Sequence, residues 1–182
     1  DEYICILMKY YSSLSLADYI QNHTITDREK MNITQGLCDC LKEIHSCHII
    51  HCDIKPHNII YEMQTKQIVF IDFGASTEID TSKSVEIEEN MGTEGYMSDE
   101  LSFGYASYQS DIYSLAVTIL ELWIKDIWYL KKNYRADVLY SLKRLSEIHP
   151  ELSIILRKCL MKDVNKRLTL NTLITKIRMV EI

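Results

Sequence analysis

Asp53, Lys55 and Asn58 lie close together in "HCDIKPHNII", residues 51–60, and another carboxylate, Asp72, follows at the head of "DFG". A carboxylate can take a proton from a hydroxyl, and an ammonium can neutralise a transferring phosphate. An amide oxygen with a second carboxylate can ligate Mg2+. These are the side-chain types that phosphoryl transfer requires. Pro56 stiffens the loop that carries three of them, and Gly74 permits a turn after the fourth, so one cleft could receive all four.

Such a loop needs strands beside it and helices beneath it. The stretch 49–71 carries short apolar groups, "II", "NIIY" and "IVFI", between polar turns, which predicts small strands. Ahead of it, "YICILM" at 3–8 predicts a strand and "LSLADYIQNH" a short helix. From Thr26 to His45 the pattern is a long amphipathic helix. Asp27 and Glu29 lie in its first turn, and Met31, Ile33, Leu37, Cys38, Leu41 and Ile44 are its apolar positions. Residues 75–91 are polar, acidic and aperiodic, and predict an exposed flexible segment. "SDIYSLAVTILELW", 110–123, is apolar almost all round, as a buried helix is. Helical patterns return at 137–148, at 151–161 behind Pro150, and at 170–180. The expected fold class is mainly α with a small β patch, an α+β arrangement. With 182 residues and 47% hydrophobic content, the chain can fill one sizeable core.

In this order and at these separations, the motifs resemble the eukaryotic protein kinase family, serine/threonine type, in its larger C-terminal lobe. The family's catalytic loop reads His-Arg-Asp, with Lys two residues and Asn five residues after the Asp; here His51-Cys52-Asp53 precedes Lys55 and Asn58. Asp72-Phe73-Gly74 matches the metal-binding triplet. Gly92-Thr93-Glu94-Gly95-Tyr96-Met97 is similar to the loop that receives the substrate residue, and Glu100 stands at the Glu of Ala-Pro-Glu. "SDIYSLAVTILEL" is similar to the buried central helix, and "KDVNKRLT" to the late motif whose Arg pairs with that Glu. The resemblance implies catalytic roles for Asp53, Lys55 and Asn58, Mg2+ held by Asn58 and Asp72, and ATP as phosphoryl donor to protein Ser or Thr hydroxyls. It implies that Thr93 sits near Asp53 and Lys55, that His51 braces the loop against backbone near Asp72, that Asp111 holds the loop backbone, and that Arg167 pairs with Glu100. "ILMKYYSSLSLADYI" resembles the inter-lobe hinge, with Met8 at the back of the nucleotide pocket, Lys9 and Tyr11 offering backbone to adenine, and Ile60 and Asp72 facing the nucleotide. Residues 1–13 would be the last strand and hinge, and 14–182 the helical lobe.

The sequence also departs from the family. No Gly-rich phosphate loop, strand Lys or paired helix Glu precedes the hinge, and none of the five glycines forms G-x-G. The expectation is a kinase piece whose N-terminal lobe lies outside the chain. The alternative is a pseudokinase-like binding or scaffold module. Cys52 replaces an Arg that collects an activation-segment phosphate, so phosphorylation at Thr77, Thr81, Ser82 or Ser84 should matter less. Asp99 replaces a proline, which leaves its backbone angle unfixed.

His45, Cys47, His48, His51 and Cys52 crowd together and raise the rival of a zinc site. The spacing is poor for it: there is no Cys-x-x-Cys, and Cys38 and Cys40 leave a helix on opposite sides. The six cysteines lack a disulfide framework, as expected of a reduced intracellular protein. A net charge of −6 with scattered basic residues argues against nucleic acid or anionic membrane as a partner, and no apolar run approaches the roughly 18 residues of a membrane span. The expected partners are ATP, a Ser/Thr protein substrate and a regulatory protein, in the cytoplasm. "IKDIWYLKKNY", with Trp128, Tyr129 and Tyr134, could contact a partner if exposed.

Overall fold

The structure is a computed structural model that describes residues 10–11, 13–80, 83–127 and 133–181. The strand expected at 3–8, and with it Met8 and Lys9, lies outside the described residues, as do Thr81, Ser82, Trp128 and Tyr129. Helix α1 (Leu16–Asn22) starts where Ser15 accepts a hydrogen bond from the Asp18 amide, and it buries Leu16, Ala17, Tyr19 and Ile20. Helix α2 (Asp27–Ser46) is capped the same way by Thr26. Its buried Thr34, Leu37, Cys38 and Leu41 follow the spacing of one helical face.

Three two-stranded antiparallel ribbons carry the loops. They pair β1 (Ile49–Ile50) with β4 (Thr77–Glu78), β2 (Ile59–Glu62) with β3 (Gln67–Phe70), and β5 (Val85–Glu86) with β6 (Tyr105–Ala106). In the middle ribbon Ile59 faces Phe70 and Glu62 faces Gln67. Gly36 lets α2 lie directly on this ribbon, since a Cβ there would come within 2.9 Å of the Ile68 side chain.

A four-residue helix, α3 (Asp99–Ser102), precedes β6. Helix α4 (Tyr108–Ile124) follows a reciprocal capping box between Ser107 and Ser110, and every residue from Ser110 to Ile124 is buried. The hairpin of α5 (Tyr134–Ile148) and α6 (Pro150–Cys159) packs beside it, with Pro150 in the first turn of α6. Helix α7 (Leu170–Arg178) returns to α2, where Arg178 clamps both oxygens of Asp39. The mainly α class with a small β patch is therefore as expected.

Residues 75–91 differ from the expectation of a wholly exposed, unpacked segment. Ile79 is 2% exposed and joins Ile50, Cys52, Leu101 and Ala106 in a second apolar cluster, against which Val85 and Ile87 also pack. Together with the pairings β1–β4 and β5–β6, this apolar plug fastens an otherwise acidic segment.

Candidate active site

Asp111, wholly buried in the first turn of α4, organises the loop between β1 and β2. Its Oδ2 accepts from the His51 amide at 2.9 Å and its Oδ1 from the Cys52 amide at 3.0 Å. These bonds hold Cys52 at φ 65°, a left-handed conformation that costs a non-glycine residue energy and persists only where its surroundings enforce it. His51, also wholly buried, meets the Ile71 carbonyl through Nε2 at 3.2 Å, and its Nδ1 accepts from the Asp53 amide at 3.3 Å. Those two bonds select the tautomer with the proton on Nε2.

Asp53 stands at the exit of this turn as the centre of a four-residue cluster. Its Oδ2 accepts from Lys55 Nζ and from Asn58 Nδ2, each at 2.8 Å, and its Oδ1 accepts from the Thr93 hydroxyl at 2.6 Å. Lys55 Nζ also donates to Thr93 Oγ1 at 2.6 Å. Partial burial pushes the Asp53 carboxyl up, but hydrogen bonds from Lys55 and Thr93, the Lys55 charge and the Asn58 bond outweigh it, and the group is held below its ordinary value. A carboxylate so held is ionised at neutral pH and can accept a proton from a hydroxyl placed where Thr93 now donates.

Asn58 closes a 3-10 turn, Pro56–Asn58, and is buried. Its amide nitrogen is committed to the backbone and side chain of Asp53, which leaves Oδ1 as the atom able to ligate a cation. Its backbone carbonyl accepts from the Ile71 amide at 2.9 Å, so Asp72 emerges directly beyond that pairing. Asp72 is exposed, sits at φ 63°, and its Oδ1 accepts a 3.3 Å bond from the Gly74 amide. One exposed carboxylate and one amide oxygen on adjoining strand ends make a hard, oxygen-only donor set that suits Mg2+ completed by water and phosphate oxygens.

Thr93 reaches Asp53 because Gly92 precedes it at φ 134°. A Cβ on Gly92 would lie 2.8 Å from the Cys52 carbonyl. Behind Thr93, Tyr96 donates to buried Glu121, and Ser114 donates to the Tyr96 carbonyl at 2.8 Å. The segment ends at Glu100, whose two oxygens receive the two terminal nitrogens of Arg167. Burial raises the Glu100 carboxyl, but the bonds from Arg167 and Ser98 and the guanidinium charge reverse this and hold it low. The Arg167 Nε donates to the Met161 carbonyl at 2.7 Å, and its guanidinium lies over the Tyr113 ring. Asp99, where the turn lacked its proline, is the first residue of α3 and pairs with Lys162 at 3.1 Å.

Of the nucleotide-side residues, Ile60 is half-buried in β2 and bridges to Ser15, while Tyr11 borders a groove with Ile68, Phe70 and Phe73. One supporting residue went unassigned from sequence. His45, in the last turn of α2, meets Asp111 Oδ2 through Nε2 at 2.9 Å and packs on Tyr108. Its signal was the His/Cys crowding, which the structure resolves into separate duties. Among the described residues no three His, Cys, Asp or Glu side chains form a metal cluster. Cys52 is buried with its thiol pushed up to about 12 by burial and the nearby Asp111 and Asp53 carboxylates.

The protein kinase domain model matches residues 1–177. Serine/threonine-protein kinase PrkC of Bacillus subtilis is 32% identical over 124 residues, which is 67% of this chain and 19% of that protein. Serine/threonine-protein kinase PknB of Mycolicibacterium smegmatis is 30% identical over 176 residues, 89% of this chain and 28% of that protein. Mitogen-activated protein kinase kinase kinase 17 of Arabidopsis thaliana is 28% identical over 183 residues, 93% of this chain and 48% of that protein. The chain thus spans less than half the length of these curated relatives. Because the family match runs through the loop of Asp53, the Asp72 triplet and the Glu100–Arg167 pair alike, the chain belongs to the protein kinase family.

Proposed function

We propose that this chain is the C-terminal lobe of a serine/threonine protein kinase, with residues 1–13 as the last strand and hinge and 14–182 as the lobe, and that it transfers the γ-phosphate of ATP to protein Ser or Thr hydroxyls. The observation that carries this reading is the cluster of Asp53, Lys55, Asn58 and Thr93, a carboxylate held ionised beside a cation and a hydroxyl. The incoming Ser or Thr hydroxyl takes the place of the Thr93 hydroxyl at Asp53 Oδ1, which orients it and receives its proton as the new O–P bond forms and the bond to the β-phosphate oxygen breaks. Lys55, within reach of the same oxygen, offsets the negative charge of the transferring group. Bound Mg·ATP supplies the phosphoryl group and neutralises its charge. Asn58 Oδ1 and Asp72 are the residues that would hold the metal, with Ile60, Tyr11, Met8 and Lys9 on the nucleotide side.

The same reading gives the protein ATP, Mg2+ and a protein substrate as partners, with no nucleic-acid or membrane role, and a cytoplasmic location. No helix among the described residues is long and apolar enough to cross a membrane, and the described cysteines are free. The test is acceptor choice. The natural gene product is incubated with γ-labelled ATP, Mg2+ and peptides that differ only in carrying Ser, Thr or Tyr. Label on Ser and Thr, absent on Tyr and abolished by EDTA, is expected. Label on Tyr would overturn the serine/threonine assignment, and label on none would favour the binding-module reading.

A further inference from the structure

A groove of about 330 Å3 opens between α5 and α6, lined by none of the residues of the Asp53 cluster. Its floor includes the buried ring of Tyr113, and its lip carries two exposed apolar side chains, Leu139 (50% exposed) and Met161 (37% exposed). Three cations ring it: Arg135 from the first turn of α5, Arg157 from the last turn of α6, and Lys162 just beyond. Lys162 is shared with Asp99. Arg135 and Arg157 make no hydrogen bond or ion pair among the described residues. Arg157 is favoured by the negative end of α6, but Arg135 adds positive charge where the end of α5 is already positive. On a chain of net charge −6, this concave apolar surface is bounded by two exposed arginines, while the acids that act on its Tyr113 floor, Asp99 and Glu100, are paired with Lys162 and Arg167.

We infer that this groove docks an acidic segment of a partner protein, which seats one apolar side chain between Leu139 and Met161 and places carboxylates on Arg135 and Arg157. The apolar side chain removes the exposed lip from water, and the planar guanidiniums match flanking carboxylates in a two-pronged geometry. The site is independent of the phosphotransfer reading, because none of its residues belongs to the Asp53 cluster. It does adjoin the end of the substrate segment, since Tyr113 carries the Arg167 guanidinium that grips Glu100.

The test uses a short fluorescein-labelled peptide, Glu-Glu-Asp-Leu-Glu-Glu, titrated into the natural gene product and followed by anisotropy, with the same peptide carrying Ala for Leu as a control. Binding is expected to weaken about tenfold in the Arg135→Glu/Arg157→Glu double variant, in added salt, and with the alanine peptide. Both arginines are exposed, and an unchanged melting temperature shows that the variant is folded. A Leu139→Ala variant tests the apolar half, with a loss for the leucine peptide and none for the alanine peptide. Absence of binding to the wild type, equal binding to the double variant, or equal affinity for the two peptides would overturn the proposal.

Discussion

Asp111 ties the backbone of the Asp53 loop to α4. Among the described residues it is the side-chain acceptor for the amides of His51 and Cys52, and it also meets His45. Replacing it by Ala leaves buried donors unpaired at about 1–3 kcal/mol each. Asp111→Ala should therefore lower the melting temperature by roughly 5–10 °C in calorimetry, and an unchanged value would remove Asp111 from this role. The Glu100–Arg167 pair makes a prediction in pH. Because the folded-state Glu100 carboxyl lies below its ordinary value of 4.5, its contribution to stability is fully present above that value and is lost as pH falls through the lower, folded one. In Arg167→Met, burial acts on Glu100 without its partner and favours the protonated form. The stability gap between wild type and Arg167→Met, about 3–5 kcal/mol near neutrality, should narrow below pH ~4.5. Denaturant titrations at several pH values measure it, and a constant gap would contradict the account. At this scale the sequence was most legible where chemistry demands an identity, as at Asp53, Lys55, Asn58 and Asp72. The duty of His45 was not legible, because the His/Cys crowding marks the residue but not its partner, Asp111 on α4.

Among the elements, the segment from Thr77 to Ala106 shows what pattern reading misses. Two-residue strands such as β4 and β5 are too short to display a period, and the surrounding Glu78, Asp80, Glu86, Glu88 and Glu89 mask the alternation of Val85 and Ile87. The long helices α2 and α4 were legible because their apolar faces repeat over several turns and their caps are polar. The apolar plug of Ile50, Cys52, Ile79, Leu101 and Ala106 takes in Cys52, the residue that stands where the family has a phosphate-collecting Arg. Restoring that charge should therefore harm the fold. Cys52→Arg buries a guanidinium at a position 1% exposed and should cost several kcal/mol, on the order of 3 or more, seen as a lower urea midpoint. An unaltered midpoint would mean that the plug can open. The cysteines give a milder probe. With Cys52 and Cys159 thiols pushed up to about 12 by burial and Cys38 higher still, brief iodoacetamide treatment should label exposed Cys47 and spare these three, as read by peptide mass spectrometry.

For the molecule as a whole, the described residues present a floor and no roof. Phe73 is 41% exposed beside the triplet's Asp72, and with Phe70, Ile68 and Tyr11 it lines a groove over α2 and β3. The class of fold was legible because several motifs follow one another in order along the chain. The proposed phosphate transfer by the Asp53 cluster is tested by the kinetics of Asp53→Asn in the natural gene product. The substitution keeps the shape and removes the proton acceptor. With a serine peptide, kcat should fall by about 10²- to 10⁴-fold while KM for ATP and the melting temperature stay close to wild type. An Asp53→Asn protein that phosphorylates the peptide at the wild-type rate would contradict the account.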